Sequence, residues 1–373
     1  MNIILTGDFC PINRPGELAR KGKIDALTND FADLFENSDL NVVDLECPFT
    51  ESKSARKKTG PHQKAPPESI KILKHAGIHL AAMANNHIMD YGSEGVRDTL
   101  EKCEQQDIRT VGIGKSKAQS RIPFSGKIKG KKLAILNYAD NEFLSAPDGS
   151  YHCNILDAVS CAGDIAAAGK EHDFVIVIVH AGNEFYELPS PRTKSLYRSI
   201  IDMGADTVVS HHTHAFSGYE TYKSKPIFYG LGNFMYDWPG KLDENWNRGY
   251  MVSLQLADQI SFELIPLKQC GKEPGVFRLN EDETLAFEKK IENLNGIIAD
   301  DRELEERFGE YCQKVFPMYD AFLEPYFGRF VTALRKRGLF PRLISKRKRL
   351  LYLNLIRCES HREVLLQLLK QNE

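Results

Sequence analysis

Three histidines fall within four positions of the stretch SHHTHAFSGYE, Ser210 to Glu220, in a chain with 11 histidines in all. Imidazoles at that density serve as metal ligands, as a general base with its support, or as a polar loop. Further groups able to do chemistry are Asp8 in TGDF, Asp44 and Glu46 in VVDLE, and Asn85, Asn86 and His87 in ANNH. His180 and Glu184 follow in VHAGNE, and His212 and His214 close the set. Imidazole, carboxylate and amide oxygen form a mixed nitrogen and oxygen donor set, which suits Zn²⁺, Mn²⁺, Fe or Ni better than Ca²⁺ or Mg²⁺. The 8 cysteines are scattered without a CxxC pair, which argues against thiolate-rich zinc. One or two divalent ions (Mn, Zn or Fe) held this way would activate a water and stabilise developing negative charge. A histidine beside them could protonate a leaving group.

Each group follows a short apolar, β-branched run. NIILTGD, LNVVDLE, HLAAMAN, KKLAILNYA, DFVIVIVHAG and DTVVSHH read as strands. Amphipathic segments such as SEGVRDTLEKCEQQ and SPRTKSLYRSIIDMGAD alternate with them, the second with Ser190 as cap, Pro191 in the first turn and Gly204 at the end. This alternation predicts an α/β core. PIFYGLGNF, GYMVSLQLA and QISFELIPL come with little helix between them and predict added antiparallel strands in a mixed or second sheet. Strand C-terminal ends are where ligands gather in such sheets. Taken singly, Asp8 reads as a turn residue, ANNH as a loop with a left-handed asparagine, and His180 as a satisfied buried histidine. Five segments delivering such residues to one rim outweigh those readings. On an extended segment His212 and His214 would point the same way.

The 373 residues suit two domains, or one large domain with an extension. A net charge of −2 does not describe a nucleic-acid binder. Scattered thiols and a start, MNIILTGDF, without a basic or long apolar segment predict a cytoplasmic protein with no signal peptide or membrane anchor. The pattern changes near Gly271. Residues 1–270 read as one domain, 271–284 as a polar linker, and 285–373 as a helical extension. Residues 281–324 hold 13 acidic and 5 basic residues, and residues 329–373 hold 12 basic and 3 acidic ones. The run RKRGLFPRLISKRKR, Arg335 to Arg349, is expected to dock on the acidic segment. Its alternative is attraction to an acidic membrane surface, a polymer synthase or a polyanion, with nucleic acid the weakest option.

TGDF, VVDLECPFT, KAPPESIKILKHAGIHLAAMANNHIMDYG, VHAGNEFYELPSPRTKSLYRSIIDMGADTVVSHHTHAFSGYE and IFYGLGNF, in that order, resemble the bacterial capsule-synthesis CapA family of poly-γ-glutamate biosynthesis proteins. That family looks like a branch of the calcineurin-like metallophosphoesterases, and the resemblance runs from Met1 to Leu267. It implies a four-layer α/β/β/α sandwich with the site at the sheet edge. By resemblance, Asp8 and His214 are first-metal ligands. Asn86, His180 and His212 hold the second metal, and Asp44 or Glu46 bridges or hydrogen-bonds. His87 is the general acid, with Glu184 and Asp90 as supporting or substrate-positioning groups. Cys10 stands where a metallophosphoesterase has histidine, which leaves the first position weaker, completed by Cys10, or empty. Asp44 replaces an asparagine, Thr213 a proline, Ala181 a tryptophan and His211 a glycine. Three functions compete: a metal-dependent hydrolase of capsule or poly-γ-glutamate metabolism, a phosphoesterase of a small phosphate ester, and a non-catalytic accessory subunit of a polymer synthase. The implied partners are an acidic polymer or a phosphate-containing small molecule.

Overall fold

Along the first strand, β1 (Asn2–Cys10), Ile3 and Leu5 face one apolar cluster and Ile4 another. The same alternation recurs in β2 (Leu40–Leu45) and β3 (Leu80–Ala82). It recurs again in β7 (Lys131–Ala139) and β9 (Phe174–His180). Strands buried on both faces need cover on both sides, and that dictates the layers.

The computed structural model describes residues 1–242, 245–323 and 345–370, with 330, 334, 337 and 339 between them. The remaining strands are β4 (Arg109–Val111), β5 (Ile113–Gly114), β6 (Phe124–Ile128), β8 (His152–Cys153) and β10 (Thr207–His211). After them come β11 (Tyr219–Tyr222), β12 (Lys225–Phe228), β13 (Asn233–Tyr236), β14 (Arg248–Gln255), β15 (Ser261–Gln269) and β16 (Val276–Arg278). One sheet runs β16-β15-β14-β1-β2-β3-β4, with β13 also paired to β1; a second runs β11-β12-β10-β9-β7-β6; β5 and β8 form a small ribbon. Parallel pairs run from β1 through β2 and β3 to the β4 edge and antiparallel pairs lie on the β14–β16 side of the first sheet, while the second has parallel pairs at its centre and antiparallel pairs at both edges.

Ile3, Leu5 and Val42 from one sheet meet Ile135, Ile178 and Val209 from the other in a shared core. The outer face of the first sheet is covered by helices Ile70–His75 and Gly92–Gln105, through Ile72, Leu73 and Val96. Helices Ala158–Glu171 and Pro191–Asp202 cover the second, through Ile165, Tyr197 and Ile200. The protein is a four-layer α/β/β/α sandwich. Helix Pro191–Asp202 carries the expected punctuation: the Thr193 amide donates to Ser190 Oγ at 3.1 Å, and Gly204 takes φ 117°.

Residues 271–284, expected as a linker, are built into the fold. Strand β16 pairs with β15 and buries Val276, and Asn280 and Glu283 form a reciprocal capping box on helix Glu281–Ala299. That helix places Phe287, Ile291 and Leu294 at the edge of the inter-sheet core. Turn-rich composition hid a three-residue strand and a helix start. Helices Asp301–Leu323, Lys346–Arg357 and Glu359–Lys370 share a smaller core of Phe308, Cys312, Leu355, Val364 and Leu368. Helix Lys346–Arg357 therefore docks on the acidic helix through apolar contact. Of the basic run 335–349, only Arg337, Leu339 and residues 345–349 lie within the described residues. No helix among the described residues is long and apolar enough to cross a membrane.

Candidate metal centre

Five strand ends converge on one rim. In β1, the Asp8 amide donates to the Gly232 carbonyl at 3.0 Å, and a Cβ at Gly7 would lie 2.1 Å from that same oxygen. Only glycine lets β13 approach there. The β1 pairing shifts register between Asp8 and Phe9, so Phe9 and Cys10 both fall in the outer apolar cluster. Cys10 is buried beside Cys47, and burial pushes its thiol up. Among the described residues, it joins no group of ligand atoms close enough to share an ion.

Glu46, just past β2, lies at the centre. Its Oε1 is 3.4 Å from His214 Nε2 and 3.8 Å from His180 Nε2. Ligand atoms of Asp8, Glu46 and His214 form one compact group, and those of Glu46, His180 and His212 form another. Glu46 is common to both, the bridging place. Asp44 Oδ2 is 3.0 Å from His180 Nδ1, so it orients that ring and frees Nε2 for the rim, where Asn86 Oδ1 sits at 3.0 Å and His212 Nδ1 at 3.2 Å. His211 Nδ1 is 2.8 Å from Asp8 Oδ1 and steadies that carboxylate from behind.

His212 and His214 do converge, but not by strand alternation. Strand β10 ends at His211, and both later histidines take left-handed backbone, φ 87° and 54°. Two non-glycine residues in that region hold strain, which functional loops tolerate when packing enforces it. His214 is packed against Trp246, ring centroids 4.7 Å apart, and its Nδ1 lies 3.0 Å from Asn233 Oδ1.

Burial and neighbouring charges couple the carboxylates and imidazoles of the rim. Burial would raise Asp8, yet hydrogen bonds from His211 and His214 hold it well below the usual carboxylate range. Burial pushes Glu46 up to about 8, which His214 and His180 offset only in part. His212 is driven down by burial and by the charge of His180. Both oxygens of Glu46 and one of Asp44 are buried without a hydrogen-bond partner. Buried carboxylate oxygens rarely go unsatisfied. Orphaned carboxylates facing imidazole nitrogens fit one or two divalent ions.

His87 lies beside this centre. Asn85 Oδ1 accepts from the amides of His87 and Ile88 at 3.2 and 2.8 Å and shapes the turn that presents it. His87 Nδ1 lies 2.7 Å from Asp90 Oδ2 and 3.2 Å from Lys58 Nζ, and Lys58 also pairs with Asp90. Burial and the Lys58 charge push the imidazole down, and Asp90 recovers only part. Glu184 does not join the cluster. It is exposed in the loop after β9, and its charge is felt at His87 and His214. Sequence reading missed Lys58, which sits in an irregular stretch without period, and Asn233, read only as part of a strand. A cleft of about 540 Å³ opens over His214, lined by Phe185, Glu187, Trp246, Lys241 and Arg248.

Two face-to-face mixed sheets with a carboxylate–imidazole rim at their strand ends define the class of α/β/β/α sandwiches that carry a polar site at the sheet edge. The chain belongs to the bacterial capsule synthesis protein family PGA_cap, whose model matches residues 2–237. It is similar to the capsule biosynthesis protein CapA of Bacillus anthracis, 29% identical over 283 residues, covering 72% of this chain and 67% of that protein. It is also similar to the PGA biosynthesis protein CapA of Bacillus subtilis, 32% identical over 219 residues and covering 58% of this chain and 56% of that one. A probable polyglutamine synthesis accessory protein of Mycobacterium tuberculosis is 24% identical over 253 residues, 62% of this chain and 66% of that one. Similar solved structures include a hypothetical protein from Thermus thermophilus (14% identity, TM-score 0.45, 71% of this chain and 99% of that one). Another is the calcineurin-like phosphoesterase YfkN of Bacillus subtilis (12% identity, TM-score 0.42, 80% and 99%).

Proposed function

We propose that the protein is a metal-dependent hydrolase of capsule or poly-γ-glutamate metabolism, cleaving an ester or amide bond in an acidic polymer. The observation that carries this reading is the buried Glu46 carboxylate, without a hydrogen-bond partner, between His214 on one side and His180 with His212 on the other. Asp8, Glu46 and His214 would hold one ion, and Glu46, His180, His212 and Asn86 the other. When bound, such ions supply Lewis-acid polarisation and lower the pKa of water. Asp44 and His211 hold the ligands His180 and Asp8 in orientation. His87, fixed at Nδ1 by Asp90, offers Nε2 for proton transfer to the leaving group, with Lys58 keeping Asp90 ionised beside it. The names of the Bacillus and Mycobacterium relatives support the acidic polymer as substrate class.

The test is metal content of the purified chain, with turnover of γ-glutamyl, phosphodiester and phosphomonoester substrates in wild type and His212→Ala. Metal-dependent release from γ-glutamyl oligomers, lost in the variant, is expected. Turnover of phosphomonoesters alone would move the substrate to a small phosphate ester. Metal bound without any turnover would leave the accessory role to a polymer synthase.

A further inference from the structure

Beside His87, joined to it through Lys58, three cationic side chains surround one ring. The Phe143 ring lies 5.4 Å from the Arg56 guanidinium carbon, 5.5 Å from Lys58 Nζ and 4.6 Å from the Arg357 guanidinium carbon. Phe143 is 5% exposed and takes φ 59°, a backbone strain that a bulky aromatic holds only when its surroundings enforce it.

The three cations are not equally satisfied. Lys58, whose side chain is 2% exposed, pairs with Asp90. Arg56 is anchored without a carboxylate: its amide donates to the Asp90 carbonyl at 2.9 Å, and its Nη1 donates to the carbonyls of Phe143 and Ser145 at 2.6 and 3.0 Å. Arg357 ends helix Lys346–Arg357 and reaches in from the C-terminal helices. The nearby Glu142 carboxylate is taken up by Asn354 at 2.6 Å and by His361 at 3.7 Å. Among the described residues, neither arginine has a carboxylate within ion-pair distance, and the Nε of each is buried with no hydrogen-bond partner. Burial lowers both guanidinium groups, and the charge of Arg357 lowers Arg56 further, so the two repel across the ring. Two like charges with unused, buried donors call for an oxyanion, the ligand that a planar guanidinium fork matches.

We infer that Arg56 and Arg357, gathered about Phe143 beside His87, form an oxyanion-binding subsite that takes an acidic group of the substrate, so that the C-terminal helices complete the substrate site. This rests on the hydrolase reading only for the word substrate; the anion site stands on its own geometry. Carboxylate and phosphoryl oxygens share the chemistry, and the experiment separates them.

Calorimetric titration of the metal-loaded full chain with γ-linked hexaglutamate and with inorganic phosphate tests the subsite. Arg357→Gln and Arg56→Gln are each expected to weaken binding about ten- to hundredfold, as for loss of a charge-assisted hydrogen bond. Arg357→Lys should recover part of the loss. Loss confined to hexaglutamate assigns the subsite to polymer carboxylates, and loss confined to phosphate assigns it to phosphoryl groups. Hydrogen exchange across helix Glu359–Lys370 checks that Arg357→Gln keeps its helices docked; if it does not, Arg357→Lys and Arg56→Gln decide. Wild-type affinity for both probes in both glutamine variants would overturn the proposal. His212→Ala separates the two readings. Arginine-dependent hexaglutamate binding in a chain without turnover would end the hydrolase reading and leave the subsite standing.

Discussion

At the sheet rim, Glu46 meets His180, His212 and His214. A short way off, at the joint with the C-terminal helices, Glu142 meets His361 and Asp140 meets Ser360. Both clusters are buried carboxylates facing imidazoles, and Glu142, Cys358 and His361 could by distance alone hold an ion. Their satisfaction differs. Glu142 accepts from Asn354 at 2.6 Å, Asp140 accepts from Ser360 at 2.5 Å, and His361 Nδ1 lies 2.7 Å from the Tyr319 hydroxyl. Glu46 has no such partner on either oxygen. Residue type and spacing therefore do not identify a metal centre. What sets the clusters apart is the carboxylate itself, bonded at Glu142 and Asp140 and unbonded at Glu46, and the second cluster is a docking joint.

The contrast breaks first at Glu46. Glu46→Gln should strip both ions at once, read by elemental analysis, and abolish metal-dependent turnover, whereas His214→Ala should spare the His180–His212 half. In chelator-treated protein the sign reverses. Burial raises Glu46 to about 8, so its ionisation in the unfolded chain opposes folding as pH rises above 4.5. Glu46→Gln should then unfold at higher denaturant, by on the order of 1–3 kcal/mol at pH 7. Next comes His87→Gln, expected to lower turnover about 10²- to 10⁴-fold with metal content unchanged. Glu142→Gln should destabilise with or without metal, by about 1–3 kcal/mol in urea titration, since it breaks a partly buried pair.

A smaller effect is set by pH. Burial alone would lower His361, but the hydrogen bond and charge of Glu142 outweigh it and hold it above 6.5. Burial would raise Glu142, but His361 holds it below 4.5. Stability from His361 is present below 6.5 and lost as pH rises through its folded value; that from Glu142 is present above 4.5 and lost as pH falls. Hydrogen exchange across helix Glu359–Lys370 should be slowest, after correction for intrinsic rates, between about 4.5 and 6.5. His361 keeps a third of its side-chain surface, so salt should soften the effect. Smallest of all, Cys10→Ala should leave metal content unchanged.

Much of the core was legible because its strands are short, apolar and punctuated. KKLAILNYA became β7 end to end, and the Ser190 cap and Gly204 stop hold. Asp8, Asp44, Glu46, Asn86, His180, His212 and His214 were legible as strand-end donors. The path by which two of them meet was not, since left-handed backbone at His212 and His214 is a product of packing that no local pattern encodes. Lys58 reaches His87 from 29 residues away, and Glu142 meets Asn354 across 212. Such contacts depend on how helices and loops fold back, which periodicity does not describe. Turn-rich composition likewise concealed β16.

The pairing of Asp8 with Asn233, and the contact of Asp8 with His211 across 203 residues, carry a consequence for biosynthesis. The Asp8 carboxylate is enclosed by residues that follow it in the chain by 203 positions or more. A ribosome must release β13 before the rim can close, and closure of so long a loop is slow compared with helix formation. Until then Asp8 lacks its His211 and Asn233 neighbours. The rim is thus a product of the folded chain and not of any local segment.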